Sequence, residues 1–351
     1  MTMNKLPETP LHRRMPAEWE LPSAVLLAWP HAGSDWADRL ESAVASYTAI
    51  AETIARYTKV IIVVPKEDSA LSALRQGSGH DNITIVEIPT NDTWTRDYGP
   101  ISLVCGDNSV KALNFGFNGW GLKYAANLDN QVTDRLHECG ILPTPPENHL
   151  NFILEGGSIE SDGNGTLLTT TRCLTSPNRN GSYTVEQITQ YLCRELGVSK
   201  VLWLDHGAIE GDDTDGHIDT IARFAPGNVI LYAGCSDTAD EHYAELESMR
   251  SQLQTFTNAD GQKFNLVELP QPKPIYDEST GRRLAATYAN FLALNNVVFM
   301  PTYGDMMTDR LAAMTIESVF ERPVVGIDAR ELIYQNGSLH CATMQIPLTL
   351  L

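Results

Sequence analysis

Three acids, an imidazole and a thiol stand out along the 351-residue chain. They are Asp97 in Trp94-Thr95-Arg96-Asp97, Glu155 after the apolar Ile153-Leu154, His217 and Asp219 in Asp215-Gly216-His217-Ile218-Asp219, and Cys341 behind Gly337-Ser338. Carboxylates crowded into one narrow site repel each other, and burying them costs several kcal/mol unless a cation joins them. If these side chains converge, the ligand they suit is itself positively charged. His-x-Asp on a strand turns both side chains to one face, which suits an imidazole and a carboxylate acting on one ligand. Each residue also has a plainer reading. Asp97 can pair with Arg96, Glu155 can serve the turn at Gly156-Gly157, His217 can be a surface histidine and Cys341 a small buried hydrophobe. Trp94 and Trp120 are either core rings or walls facing a cation.

A metal centre is the chemical rival, with His206, His217, Asp219 and Cys341 as ligands. Neither HExxH nor CxxC spacing occurs, and His340 and Cys341, as neighbours on a strand, are expected on opposite faces. No phosphate-binding glycine loop follows a strand, so nucleotide binding lacks support.

The elements that would bring these residues together recur in a fixed order of strand, strand, helix, strand. Residues 151–160 and 166–170 flank the turn Asp162-Gly163-Asn164-Gly165, then come a helix over 184–197 and a strand over 199–204. The order repeats with 218–224, 229–233, a helix over 239–254 and 264–269. It repeats again with 288–294, 297–300, a helix over 308–320 and 323–328. An earlier unit has 97–105, 110–117 and a helix over 127–138. The fifth is split between the termini: 339–347 supplies one strand, and 23–30, a helix over 36–57 and 59–64 supply the rest. Such spacing predicts stacked units closed into a ring, with an ordinary mixed sheet as the alternative. The five candidate positions then begin the first strand of each unit: Asp97, Glu155, Asp219 with His217, Tyr288 or Asn290, and Cys341. No low-complexity linker divides the chain, so residues 1–351 read as one domain.

Composition narrows the partners. With 25 Lys+Arg against 44 Asp+Glu, the formal charge is −19. That disfavours nucleic acid and anionic membrane surfaces, which need clustered cations, and favours cationic small molecules. The N-terminal stretch has no apolar leader segment, apolar runs are strand-sized, and the six cysteines lack regular spacing. A cytoplasmic protein with reduced thiols is expected, without excluding a homo-oligomer.

WTRDYGP (94–100), LEGGSIESDGNGTLLTT (154–170), TSPNRN (175–180), DDTDGHID (212–219), AREL (329–332) and NGSLHCATMQIP (336–347) together resemble the agmatine deiminase and bacterial peptidylarginine deiminase family. The likeness runs from MPAEW (15–19) to the C-terminus. The resemblance implies the guanidine-modifying pentein fold, a five-bladed α/β propeller closed by its terminal strands. It implies Cys341 as nucleophile, His217 as general acid and base, and Glu155 as the carboxylate accompanying the histidine. Asp97 and Asp219 match the acids that grip a guanidinium, and Trp94 resembles a wall of the substrate channel. The reaction so implied is hydrolytic deimination through an S-alkylthiouronium on Cys341, without metal or organic cofactor. Where many agmatine deiminases carry glycines before His-Cys, this chain has Gln335-Asn336-Gly337-Ser338-Leu339, so the loop over the substrate tail departs from the pattern. Asp212 and Asp213 could favour a tail ammonium, which points to agmatine, with peptidyl-arginine and free arginine as alternatives. A non-catalytic binding protein on the same propeller and a metal-dependent hydrolase are the remoter readings.

Overall fold

Short apolar strands separated by Gly- and Asn-bearing turns build five small sheets among the described residues, which in this computed structural model are 13–65 and 80–351. The N-terminal residues read above for a leader segment lie largely outside them. Three sheets have three strands: Ile159–Ser161, Thr166–Thr170 and Lys200–Leu204; Ala222–Ala225, Val229–Ala233 and Asn265–Leu269; Leu292–Ala293, Val298–Thr302 and Val324–Asp328. In each the first two strands pair antiparallel and the last joins parallel. The same core appears in Ile101–Cys105, Val110–Gly116 and Glu147–Ile153, to which Arg13–Arg14 adds an edge. In the fifth sheet Met344–Pro347 pairs antiparallel with Ser23–Ala28, and Val60–Val64 and Ile83–Glu87 follow in parallel. The split unit foreseen from the termini is therefore present, and the fold is mixed α/β.

Parallel pairing requires a crossover, and helices supply it. Leu40–Ala55 links Ser23–Ala28 to Val60–Val64, both of them buried along their whole length. Val185–Leu196 starts at a Thr184/Gln187 capping box, buries Ile188, Leu192 and Leu196 on one face, and ends at Gly197 with φ 64°. Tyr243–Leu253 and Met306–Phe320 do the same work in the next two units. At the hairpin between Ala222–Ala225 and Val229–Ala233, Gly227 and Asn228 take φ 78° and 60°, the left-handed backbone that lets a two-stranded turn follow the strand twist.

The first strands are shorter than the sequence suggests. The stretch 151–160 divides between two sheets, Glu147–Ile153 closing one and Ile159–Ser161 opening the next. The stretches 97–105, 218–224, 288–294 and 339–347 yield strands only at Ile101–Cys105, Ala222–Ala225, Leu292–Ala293 and Met344–Pro347. Ahead of four of the five, the chain makes one tight helical turn: Thr95–Tyr98, Gly156–Ser158, Ile218–Thr220 and the turn at 340–343, where the N–H of Thr343 reaches the carbonyl of His340. The candidate residues thus lie in or beside these turns, not on the strands. Backbone N–H groups that would have entered a ladder are satisfied within the turn.

Leu27 is fully buried in Ser23–Ala28 and lies opposite Ile62. Leu27→Ala should cost about 2–5 kcal/mol of stability, the range for an unfilled core cavity. A urea midpoint unchanged from wild type would show that this sheet is not part of the stabilising core.

Candidate functional site

The turn carrying Asp97 is tied to its neighbours by Thr95. Its hydroxyl lies 3.0 Å from the carbonyls of both Leu26 and Ala342, while Arg96 N–H donates to the carbonyl of Cys341. Asp97 is thereby fixed beside the thiol-bearing turn. One of its oxygens accepts the Gly157 N–H at 3.0 Å, and the other accepts Trp120 Nε1–H at 2.9 Å. The Trp120 ring was expected as a wall or core side chain; it also serves as a donor.

His217 is fully buried. Its Nε2 is 2.8 Å from Glu155 Oε2, whereas its Nδ1 faces Asp97 Oδ1 at 3.6 Å and has no hydrogen-bond partner. Glu155 is held from behind by Arg179, whose Nε lies 2.9 Å from both carboxylate oxygens, and Arg179 continues to Asp215 at 2.6 Å. On the far side, Asp219 Oδ2 sits 2.7 Å from His340 Nδ1 and 3.8 Å from Cys341 Sγ, leaving Asp219 Oδ1 buried and unpartnered. Asn290 Nδ2 is 3.2 Å from the sulfur, and its Oδ1 accepts N–H bonds from His340 and Cys341. Among buried polar atoms, which are normally satisfied, an open imidazole nitrogen and an open carboxylate oxygen mark where a ligand's polar groups can go.

The sequence placed His217 and Asp219 on one strand face, but His217 caps a 3-10 turn and Asp219 lies within it. They converge through Gly157 instead. A Cβ there would stand 2.7 Å from His217 Nδ1, 2.8 Å from Asp97 Oδ1 and 3.1 Å from Asp219 Oδ2. His340 and Cys341, expected on opposite faces, lie in a turn and approach the same Asp219 oxygen.

A cavity opens above Cys341 and Asp97, lined by Trp94, Trp120, Tyr124, Asp35, Asp92 and Asp213 with the 335–337 loop. Trp94 packs against Trp36 and on Gly337, where a Cβ would lie 2.3 Å from the indole. Trp120 belongs to a run, Gly119 to Leu122, in which all four residues have φ between 54° and 81°. A left-handed turn costs roughly 1–2 kcal/mol per non-glycine residue, and here it delivers the indole N–H to Asp97. Asp213 accepts hydrogen bonds from Tyr124 Oη–H and Asn336 Nδ2–H, each at 2.8 Å. Asp212, read as a second tail acid, instead caps Thr214 and Gly216 and is absent from the cavity lining. The role of a short Asp in such a turn is local.

Charge in the site is uneven. Burial lifts Asp97 to about 6, helped by the charges of Asp219 and Glu155 and opposed by His217 and the Trp120 donor. Burial also raises Cys341 well above an ordinary thiol, and Asp219 and Asp97 add to it. For His217, burial disfavours the cation, but Asp97 and the hydrogen bonds from its Cys173 and Glu155 side outweigh it, so the imidazolium is held. Glu155 and Asp219 stay ionised despite burial, Glu155 through His217 and Arg179, and Asp219 through His340. The empty site therefore keeps a protonated thiol beside an imidazolium, and only an added cation would favour the thiolate.

The proposed metal set does not assemble, since His206 faces Glu245 at 3.6 Å and is nearly half exposed. Two buried clusters with metal-ligand side chains do occur among the described residues, Glu155–Cys173–His217 and Glu18–Glu160–His340. In each an arginine, Arg179 or Arg223, already neutralises the carboxylates. Residues that the sequence did not single out are Arg179, Glu18, His340, Tyr124 and Asn336. Arg179 sits in the quoted TSPNRN segment and Glu18 in MPAEW, so the segments were visible but their partners were not.

The model of the Porphyromonas-type peptidyl-arginine deiminase family matches residues 14–347. A Shewanella baltica protein named "Putative agmatine deiminase" is 37% identical over 95% of this chain and 94% of its own length. A solved cysteine-to-serine variant of C. jejuni agmatine deiminase with substrate bound superposes with a TM-score of 0.90 at 37% identity, covering 98% and 99% of the two chains. A Porphyromonas gingivalis structure, described as a "putative arginine deiminase", gives 0.88 at 45% identity over 96% and 99%.

Gly157→Ala should leave the fold intact by circular dichroism while lowering kcat/KM by at least about 100-fold, because displacing catalytic groups by an ångström costs that much. Wild-type turnover would show that the three groups do not need their close approach.

Proposed function

The chain belongs to the Porphyromonas-type peptidyl-arginine deiminase family, and from that premise we propose that it hydrolyses agmatine to N-carbamoylputrescine and ammonia. It is a hydrolase of guanidino C–N bonds, a reading carried jointly by its agmatine deiminase relatives and by the acid-lined thiol cavity. The choice of agmatine rests on one observation: the cavity mouth presents Asp35, Asp92 and Asp213, and neither Lys nor Arg is among its described lining residues. A substrate with a second positive charge fits that lining, whereas the carboxylate of free arginine meets repulsion.

In the proposed reaction, Asp97 and Asp219 pair with the guanidinium N–H groups and turn its carbon toward Cys341. The bound cation offsets the carboxylate field that keeps the thiol protonated, so Sγ releases its proton to solvent and adds to the carbon as the thiolate. His217, charged and backed by Glu155, gives its proton to the departing amine, and ammonia leaves an S-alkylthiouronium on Cys341. Water then adds with one proton passing to neutral His217; collapse of the adduct breaks the C–S bond and expels the thiolate, which takes the hydroxyl proton as the ureido carbonyl forms. Asn290 Nδ2–H, 3.2 Å from the sulfur, is suited to stabilise that thiolate. These steps need no metal or organic cofactor. Trp94 and Trp120 wall the guanidinium, and Asp213 takes the tail ammonium.

The common strand order of the five sheets, including the pairing of Met344–Pro347 with Ser23–Ala28, supports a five-bladed α/β propeller formed by a single domain. No helix of the described residues is long and apolar enough to cross a membrane. Six unpaired cysteines support a reducing, cytoplasmic setting, and the acidic composition argues against nucleic acid and anionic membranes as partners.

A ureido-specific colorimetric assay with agmatine, free arginine and an arginine peptide tests the substrate. Agmatine should exceed free arginine by at least about 100-fold in kcat/KM, with Asp213→Asn narrowing the gap, since a lost charge-assisted contact is worth roughly 1.5–3 kcal/mol. Preference for the peptide would move the assignment to peptidyl-arginine.

Because Asp97 titrates near 6 in the empty site, it must release its proton before gripping a cation. Agmatine affinity of Cys341→Ser should be flat above pH 6 and fall about tenfold per unit below it, as calorimetry would show. Affinity that rises on acidification would remove Asp97 from the grip.

A further inference from the structure

Asp97 and Asp219 are backed by two matching lines of side chains. Behind Asp97 stand His217, Glu155 and Arg179, with His217 Nδ1 3.6 Å from Asp97, His217 Nε2 2.8 Å from Glu155 and Arg179 Nε 2.9 Å from Glu155. Behind Asp219 stand His340, Glu18 and Arg223. His340 Nδ1 is 2.7 Å from Asp219, its Nε2 is 2.7 Å from Glu18 Oε2, and Arg223 Nη2 is 2.9 Å from that same oxygen. Each line runs carboxylate, imidazole, glutamate, arginine. They differ at the first link. His217 Nδ1 is left without a hydrogen-bond partner, while His340 Nδ1 is closed on Asp219.

An ionised Asp219 oxygen can only accept, so His340 Nδ1–H donates to it, while Nε2 lies between Glu18 Oε2 at 2.7 Å and Arg223 Nη2 at 3.1 Å. The charged groups packed around His340 are Asp219, Glu18 and Glu160 on one side and Arg96 and Arg223 on the other, with the imidazole between them. Arg223 reaches Glu160 as well as Glu18, and Arg96 Nη1 lies 3.7 Å from Glu18. All six are essentially buried. Removing the Nδ1–H donor from such a cluster leaves the buried Asp219 oxygen without its partner. Glu18 is itself anchored, its other oxygen accepting the Ala293 N–H at 2.6 Å. This ties the MPAEW segment near the N-terminus to the residue preceding the thiol.

We propose that His340 and Glu18 are positioning residues of the deimination site, a closed counterpart of the working His217–Glu155 pair that keeps Asp219 ionised and its free oxygen aimed at the guanidinium. The proposal rests on the reading that Asp219 grips the substrate. Its role is static: no proton passes through His340 during turnover.

The test is the pH dependence of kcat/KM with agmatine for His340→Gln and Glu18→Gln, alongside agmatine binding by each combined with Cys341→Ser. In wild type the acid limb reflects one proton, on Asp97. Without the imidazole donor at His340, Asp219 also takes up a proton, so the limb steepens toward two protons and moves to higher pH. The loss should be about 100-fold at pH 6 and under about tenfold at pH 8, expressed in KM and binding more than in kcat. Glu18→Gln should act in the same direction and more weakly. A uniform loss with an unchanged limb, or no loss, would overturn the proposal; if His340→Gln fails to fold, Glu18→Gln decides by the same criterion. Wild-type protein inactive on every guanidino compound would instead overturn the deiminase reading. An active wild type, an inactive Asp219→Asn and pH-parallel His340 and Glu18 variants would sink this proposal alone.

Discussion

The site is built one cation short. Asp97 shares its nearest cation, His217, with Glu155, and among the described residues neither Asp97 nor the Cys341 thiol has an arginine or lysine of its own. Burial would push both toward their neutral forms, and in the empty site it does so, with Asp97 near 6 and the thiol far above its ordinary range. A flat cation arriving between Asp97 and Asp219 corrects the deficit for both groups at once. In the proposed reaction, substrate binding and activation of sulfur are therefore one electrostatic event. The same coupling keeps the sulfur in its less reactive form when no substrate is present, which suits a thiol in a cavity open to small molecules.

Geometry serves that charge arrangement through turns. A strand would space successive side chains on a face about 7 Å apart, too far for an imidazole, two carboxylates and a sulfur to meet at one carbon. A single helical turn before each strand brings the groups closer and aims them across to neighbouring units. Gly157 is the clearest consequence, because its missing Cβ is the space in which three of the groups meet. The left-handed run at Gly119–Leu122 is the other, holding Trp120 where its N–H fixes the outer oxygen of Asp97. Strain of this kind persists only when surrounding contacts over-determine it, and Tyr124 and Lys123, bonded to the 213–215 segment, supply such contacts.

Much of this was legible in the residues. The repeated order of elements, the split unit at the termini and the convergence of Asp97, Glu155, His217, Asp219 and Cys341 could all be read from hydrophobic period and turn chemistry. What could not be read was how the convergence is achieved. Period-two reasoning put His217 and Asp219 on one strand face, yet the chain turns there because its backbone donors are satisfied locally. Asp212 and Asp213 look alike in sequence; one caps a turn and the other lines the cavity, a difference set by contacts from Tyr124 and Asn336. Charge partners such as Arg179 and Glu18 were invisible because an ion pair between distant segments leaves no periodic trace.

The acids at the cavity mouth act by exclusion as much as by attraction. Asp213 is half-buried and raised by that burial, so an ammonium beside it is favoured and a carboxylate is not. Asp92 is similar: burial lifts it to about 7, and the neighbouring Asp35 adds to the rise. A substrate bearing a carboxylate would have to bring a further negative charge against groups already resisting ionisation, whereas an ammonium would relieve them. In the proposed reading, the discrimination comes from the same shortage of positive charge that acts on the thiol, extended outward along the cavity wall. Tail selection and chemical activation are two readings of one field, and changing the charge at the mouth should alter the sulfur as well as the substrate.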